Sequence, residues 1–295
     1  MCGAELHPLL TIKAVVAMPY HGFDASSGAH MLRVDASWID PFIGIDSYTL
    51  RSNPFGPHPH AGMSAVSLTL PESEAGTVNR DSMGDHSLIE PGDLHWFQAG
   101  RGAMHEETPA QAGKTEQGLQ VFVNLSRVHK STEPVAFKVK HTDMPVVDFE
   151  GGSLRVVAGE LGGHYSPIGQ DARWLTRVNL LDVTLQAGAQ VDIPVKSGDN
   201  AFFVIRSGSF DAQVQADIAQ SAIIFEASDA YAMSLARIKA GKQALRGVFF
   251  SGTPIKEPIY SGGPFTGNSA DDILAYRRAF ARGEMGHLES FSPIN

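Results

Sequence analysis

The sequence predicts an all-β chain of two antiparallel barrels closed by one short C-terminal helix, and three observations carry that reading. The 30 glycines and 17 prolines are spread along the chain in turn-like places, which suits many short strands better than long helices. Strand-like runs recur every ~8 to 12 residues between Gly turns, the spacing of sandwiches and barrels. The second half then repeats the rhythm of the first. Ala201-Phe202-Phe203-Val204-Ile205 with Ser207-Gly208 answers Ala65 to Leu70 and its Gly76 turn; Ile223-Ile224-Phe225-Glu226 answers Leu88-Ile89-Glu90; Gly247-Val248-Phe249-Phe250 answers Leu119 to Val123. Internal repetition on this scale is the mark of a duplicated unit.

With 295 residues and about 150 per domain, two domains are expected, each large enough to bury its own core. The boundary falls in the polar, charged stretch 126–152, which divides the chain into a barrel over 1–139 and a second barrel with the helix over 140–295.

In chain order, Pro41 to Tyr48 is a strand, and Pro57-His58-Pro59-His60 follows it. From His58 the even positions continue through Val66, Leu68 and Leu70, with Ser67 and Thr69 between them. That period of two makes the apolar even face the buried one, so the two histidines point inward with it unless Gly62 forms a bulge. Glu74-Ala75-Gly76, Met83-Gly84-Asp85 and Pro91-Gly92-Asp93 are turns around the strands Thr77 to Asp81 and Ser87 to Glu90. Leu94 to Phe97 follows, and Gly118 to Leu125, apolar on both faces, reads as a central strand. The closing helix has Ser269 as cap, Asp271 and Asp272 in its first turn, Arg277, Arg278 and Arg282 toward its end and Gly283 as a stop. Ile273, Tyr276 and Phe280 form its apolar face, placed to pack on a barrel.

The chemistry concentrates in two segments about 45 residues apart. In a strand successive side chains alternate faces, so His58 and His60 point one way together, and His105 and Glu107 do the same. Neutral imidazoles and a carboxylate are donors for a divalent transition metal, and four of them leave positions open on a six-coordinate ion. A lone strand histidine is ordinarily a satisfied core or surface group. Two at a spacing of two on a buried face are different, because unpaired imidazoles there are costly. Glu106 is expected on the opposite face, in solvent or toward the outer layer of the barrel. Only His287 lies beyond His164 among the twelve histidines, and the stretch Val191 to Asn200, which stands where the His pair should be, has none. The second copy is therefore expected to lack the site.

Charge and composition exclude other classes. A formal net charge of −9 argues against direct nucleic-acid binding, which normally shows a basic face. No apolar run approaches the ~18 residues of a membrane span. The single Cys2 cannot form an internal disulfide, and no signal-peptide pattern opens the chain, so a cytoplasmic location is expected. Gly113-Lys114-Thr115 resembles the tail of a phosphate loop, but Thr108 stands where its first glycine belongs. Gly100-Arg101-Gly102 lacks the third glycine and following helix of a dinucleotide fingerprint. Asn124-Leu125-Ser126 is a formal sequon without a secretory route. His21, His30, His86 and His95 read as surface residues or as neighbours of the ligands.

Several runs together resemble the pirin family: 53–60, Asn79-Arg80-Asp81-Ser82-Met83-Gly84, Pro91-Gly92-Asp93, 99–107, Gly118 to Leu125 and Gly263 to Asn268. The likeness spans nearly the whole chain in order. It implies a bicupin with one metal in the N-terminal barrel. Carried over residue by residue, the ligands are His58, His60, His105 and Glu107, and Asp46, Phe55 and Gln120 line the substrate pocket; beside its ligand role Glu107 is a candidate proton acceptor. The implied metal is iron, Fe2+, with Ni, Cu, Mn or Zn also accepted by such a donor set. The implied activity is that of a quercetin 2,3-dioxygenase, opening the heterocycle of a flavonol-like aromatic substrate with O2 and releasing carbon monoxide. The alternative it implies is a redox-sensitive regulatory protein that binds a protein partner, a transcription factor or a metabolic enzyme. The sequence departs from the family where pirins usually continue the His pair with Arg-Gly-Phe-Glu. Here Ala61-Gly62-Met63-Ser64 follows, removing an arginine and a glutamate expected near the mouth of the site.

Overall fold

The structure, a computed structural model, describes residues 7–211 and 220–289; Cys2 lies outside the described residues. The first half contains β1 (Ile12–Ala17), β2 (Tyr20–Gly22), β3 (Gly28–Leu32), β4 (Phe42–Leu50), β5 (His58–His60), β6 (Met63–Thr69), β7 (Thr77–Asp81), β8 (His86–Ile89), β9 (Leu94–Gln98), β10 (Ala103–Pro109), β11 (Glu116–Asn124) and β12 (Val135–Val139). The second contains β13 (Val146–Phe149), β14 (Gly152–Ala158), β15 (Glu160–Leu161), β16 (His164–Tyr165), β17 (Val178–Leu185), β18 (Gln190–Lys196), β19 (Asn200–Ser207), β20 (Ser221–Phe225), β21 (Met233–Lys239), β22 (Leu245–Gly252), β23 (Tyr260–Ser261), β24 (Thr266–Gly267) and the helix α1 (Ala270–Ala281). No helix among the described residues is long and apolar enough to cross a membrane.

Duplication is explicit in the strand order. One seven-stranded sheet runs β12-β9-β6-β11-β4-β3-β2 and the other β1-β20-β19-β22-β17-β14-β13. Position by position, β19 answers β6 and β22 answers β11, as the sequence suggests. However, β20 answers β9 rather than the Leu88 to Glu90 strand, because β8 belongs to a separate four-stranded sheet, β5-β10-β7-β8. The counterpart of the β5-β10 pair is β18-β21.

The two large sheets pack face to face, and the main core lies between the barrels. Phe42 meets Phe202 and Phe250 at ring separations of 5.2 and 5.4 Å, and Trp96 meets Trp174 at 5.3 Å. Each fully buried side chain of this kind contributes about 1.5–3 kcal/mol. Val66 and Leu68 belong to this core. The histidines therefore do not share the face of Val66, Leu68 and Leu70, and the Gly62 exception applies: Gly62 has φ +75° and separates β5 from β6, which lie in different sheets. The change of sheet reverses the parity. Odd residues of β6 now face the N-terminal barrel interior, with Ala65 packed by Phe97 and Ser67 bonded to Glu107.

The two sheets exchange terminal segments. Strand β1 pairs with β20 of the second sheet. At the other end, Phe265 and Thr266 bridge to Ala61, with the Thr266 N–H donating to the Ala61 carbonyl at 3.0 Å. Helix α1 follows, capped by Ser269, whose Oγ accepts from the Asp272 N–H at 3.2 Å. Ile273 and Tyr276 pack over Ala61, Met104 and Phe265, but Phe280 is 41% exposed and Ala279 takes the contact instead. The buried stripe is narrow because the helix meets one strand end, so three-residue steps from Ile273 suffice.

The second barrel is filled. Ile193 and Val195 of β18 and Ala236 and Ile238 of β21 pack with Phe203 and Phe249 in its interior. These apolar side chains stand on the pair that answers β5-β10.

Candidate metal centre

Strand β10 sits between β5 and β7, with His105 opposite His58 and Ala103 opposite His60. The period of two then sends His58, His60 and His105 to one side of the sheet. Their ligand nitrogens all lie within 4.8 Å of one another. Ring separations are nearly equal, 4.9 Å for His58 and His60, 4.7 Å for His58 and His105 and 4.9 Å for His60 and His105. Phe97 stacks on His105 at 4.7 Å and fixes its plane.

His58 Nδ1 lies 2.8 Å from the Gly56 carbonyl oxygen. A carbonyl can only accept, so Nδ1 carries a hydrogen and Nε2 is the nitrogen left to face a metal. That Nε2 stands 3.1 Å from Nε2 of His105. Burial, with the neighbouring His58 adding to it, pushes the His60 ring down to about 3. Burial and the surrounding histidines lower His105 well below the ordinary imidazole range. Both rings are neutral at pH 7, so each keeps one nitrogen lone pair that a cation can use. A cation resolves that arrangement. Two nitrogens each ~2.1 Å from one ion and at right angles to it lie ~3.0 Å apart, which fits the observed pair and an ion with open positions.

Glu107 shares the face of His105 but stands outside this group of three. Its Oε2 accepts from Ser67 Oγ at 2.6 Å, and its Oε1 lies 3.2 Å from His95 Nδ1. His95 is fully buried beside the ligand strand, whereas His21 and His86 are exposed and His30 is half-buried. Ser67 Oγ also lies 3.1 Å from Gln120 Oε1, and Gln120 donates to the Val66 carbonyl at 3.3 Å. The opposite-face neighbour Glu106 is not a solvent group. It is 3% exposed, paired with Arg80 and bonded by Asn53 Nδ2 at 2.8 Å, because the four-stranded sheet is covered on that side.

A cavity of about 280 Å³ opens in front of the histidines. Asp46, Phe55 and Gln120 all line it, as do Glu107 and the apolar Phe23, Met31, Leu50 and Phe122. Phe55 and Phe23 meet edge-on at 4.9 Å, and Asp46 is tied to Arg33 at 2.8 Å. Ala61 and Ser64, where the sequence departs from the family, are fully buried and do not line the cavity. Ala61 lies under Phe265 instead of at the mouth. Two polar lining residues escape the sequence reading: Tyr48, which shares parity with Asp46, and Glu116, which shares it with Gln120. Parity with a named pocket residue is the signal that would have found them.

Comparison with known proteins gives a consistent picture. The family described as Pirin matches residues 30–123, and the Pirin C-terminal cupin domain matches residues 180–286. Pirin-like protein 2 of Arabidopsis thaliana is 33% identical over 248 residues, covering 82% of this chain and 74% of that one. Among solved structures, a quercetin 2,3-dioxygenase from Acinetobacter baumannii has a TM-score of 0.81 at 22% identity, covering 95% of this chain and 100% of that one. A bacterial pirin from Escherichia coli in complex with nickel(II) has a TM-score of 0.59 at 13% identity, covering 82% and 99%. At these identities the two structures establish the fold, a pair of cupin barrels.

Proposed function

The chain belongs to the pirin family, and from that premise we propose that its N-terminal cavity binds one divalent transition metal, iron in the working protein, and opens the heterocycle of flavonols such as quercetin with O2. The observation that carries this reading is the convergence of three histidines at the head of an apolar, aromatic-walled cavity.

His58, His60 and His105 would hold the metal, with Glu107 as the fourth donor, and Glu107 would accept the proton of the flavonol 3-hydroxyl. A divalent ion held there would supply Lewis acidity toward the deprotonated hydroxyl. Ser67 and His95 hold the Glu107 carboxylate from two sides, so that it meets the hydroxyl in a restricted orientation. Phe23, Phe55 and Phe122 flank the planar ring system and exclude water. In the reaction one O2 is consumed, the ring opens and one carbon leaves as carbon monoxide.

The test is aerobic turnover of quercetin by iron-loaded protein, read as loss of the flavonol absorbance with carbon monoxide as product. Metal-dependent turnover supports the reading. No oxygen-dependent loss above an anaerobic control would remove it.

A further inference from the structure

We propose that Tyr48, held by Glu116, is a second recognition point in this cavity, taking a hydrogen bond from a hydroxyl on an uncharged planar aromatic ligand, at the end remote from the histidines. The inference rests on the reading that the cavity takes a hydroxylated aromatic.

Three features assign that role. The first is the way the carboxyl is bonded. Tyr48 Oη donates to Glu116 Oε1 at 2.8 Å, and Thr77 Oγ1 donates to the same oxygen at 2.5 Å. Glu116 is 1% exposed, and its Oε2 is buried without a partner. The Tyr48 hydrogen is thus committed to Glu116, and its oxygen can only accept from the cavity. Burial holds the Glu116 carboxyl up at about 7 and the Tyr48 phenol well above its ordinary range. A proton on Glu116 therefore resides on the free Oε2 and leaves the Tyr48 bond intact.

The second feature is space made for the ring. Gly118 lies opposite Tyr48 in the β11–β4 register, and any Cβ at that position would run into the Tyr48 ring and hydroxyl. Gly118 lets the tyrosine lie across the strand and bring its hydroxyl to Glu116.

The third is charge and distance. Asp46, Glu107 and Glu116 line the cavity, and no lysine or arginine does so among the described residues. Away from the metal end, a ligand carboxylate would meet only like charge. In the β7–β10 register Glu107 lies opposite Asn79, and Thr77 is two residues further along β7, roughly 7 Å in a strand. Thr77, which bonds Glu116, thus stands about a fused-ring length along the strand from the position opposite Glu107.

The test uses the full chain loaded with Zn2+, so that binding is read without turnover, and titrates two probes by their absorbance bands. Quercetin and 3-hydroxyflavone share the 3-hydroxyl and 4-carbonyl edge, but only quercetin carries hydroxyls on its outer rings. Wild type should prefer quercetin. Tyr48→Phe, which keeps the ring over Gly118, should weaken quercetin roughly tenfold and leave 3-hydroxyflavone within about twofold. Glu116→Ala should lose the same preference and Glu116→Gln should restore it, since an amide oxygen still accepts from Tyr48. Equal loss for both probes, no loss for either, or no binding of quercetin to wild type would overturn the proposal. Discrimination in binding without iron-dependent turnover would remove only the dioxygenase reading, and turnover without discrimination would remove only this one.

Discussion

His105 lies directly opposite His58 in the register of two antiparallel strands, and their Nε2 atoms stand 3.1 Å apart. Two imidazole nitrogens this close gain at most one shared proton from each other, so a metal should stabilise the folded chain measurably. Elemental analysis should give one equivalent per chain. Anything that binds only the folded state stabilises it by about 4 kcal/mol at a thousandfold excess over Kd, so the Tm should fall on chelation and recover with metal. In His58→Ala the metal content should be near zero and the Tm indifferent to chelator. A chelator-sensitive Tm in that variant would point to another site.

The adjacent glutamates should separate by kind of defect. Glu106 is buried against Arg80 and Asn53, so Glu106→Gln should cost about 1–3 kcal/mol of stability while metal content stays at wild-type level. Glu107→Gln keeps one acceptor oxygen, toward either Ser67 or His95, and turns an NH2 to the other; it also removes the negative charge, so metal should be held less tightly and flavonol turnover lost. Chemical denaturation and metal analysis on the two variants decide this. Metal lost in Glu106→Gln and retained in Glu107→Gln would exchange their assignments.

How far these roles can be read from the sequence depends on what interrupts strand periodicity. His58, His60 and His105 follow from spacing alone, and so does the duplication, because β6 and β19 are both strongly apolar. The face shared by the histidines does not follow, because Gly62 moves the chain from one sheet to another and the parity count starts again at Met63. Both faces of β6 are buried, so hydrophobicity could not signal which one holds the site. Glu106 has the same difficulty, since a carboxylate next to a ligand looks solvent-facing until the Arg80 beneath it is seen. The exchange of β1 and α1 between halves is a long-range pairing, and no local pattern in either segment names its partner.

Glu116 gives the stability of metal-free protein a pH dependence with a defined sign. Burial raises its folded carboxyl from 4.5 to about 7. The folded state therefore holds a proton that the unfolded state has released over this range, and stability present below pH ~4.5 is lost as pH rises toward ~7. A shift of that size corresponds to about 3 kcal/mol. Glu116→Gln mimics the protonated acid at every pH. Relative to this variant, chelated wild type should lose about 3 kcal/mol between pH 4.5 and 8 in urea unfolding. A constant difference across that range would mean that Glu116 titrates alike in both states.

Gly62 and Gly113 separate two costs that a glycine can carry. Their φ values are nearly equal, +75° and +78°, so alanine at either position pays a similar penalty for the left-handed backbone, about 1–2 kcal/mol. Around Gly113 a Cβ would meet nothing within 4 Å, whereas at Gly62 it would run into the Thr266 carbonyl. Gly62 is fixed from other sides too: its N–H donates to the Gly100 carbonyl at 2.8 Å, and its carbonyl accepts from the buried Lys130 Nζ at 2.7 Å. The backbone there has little room to yield, and it leads directly from His60 into β6. Gly113→Ala should therefore cost only the backbone penalty and leave metal binding unchanged. Gly62→Ala should cost at least about 2 kcal/mol more and weaken metal affinity, because Thr266 can be cleared only by moving the strand that carries His58 and His60. Equal losses of stability in the two variants, with metal affinity intact in both, would mean that the C-terminal segment yields and the histidine strand does not depend on it.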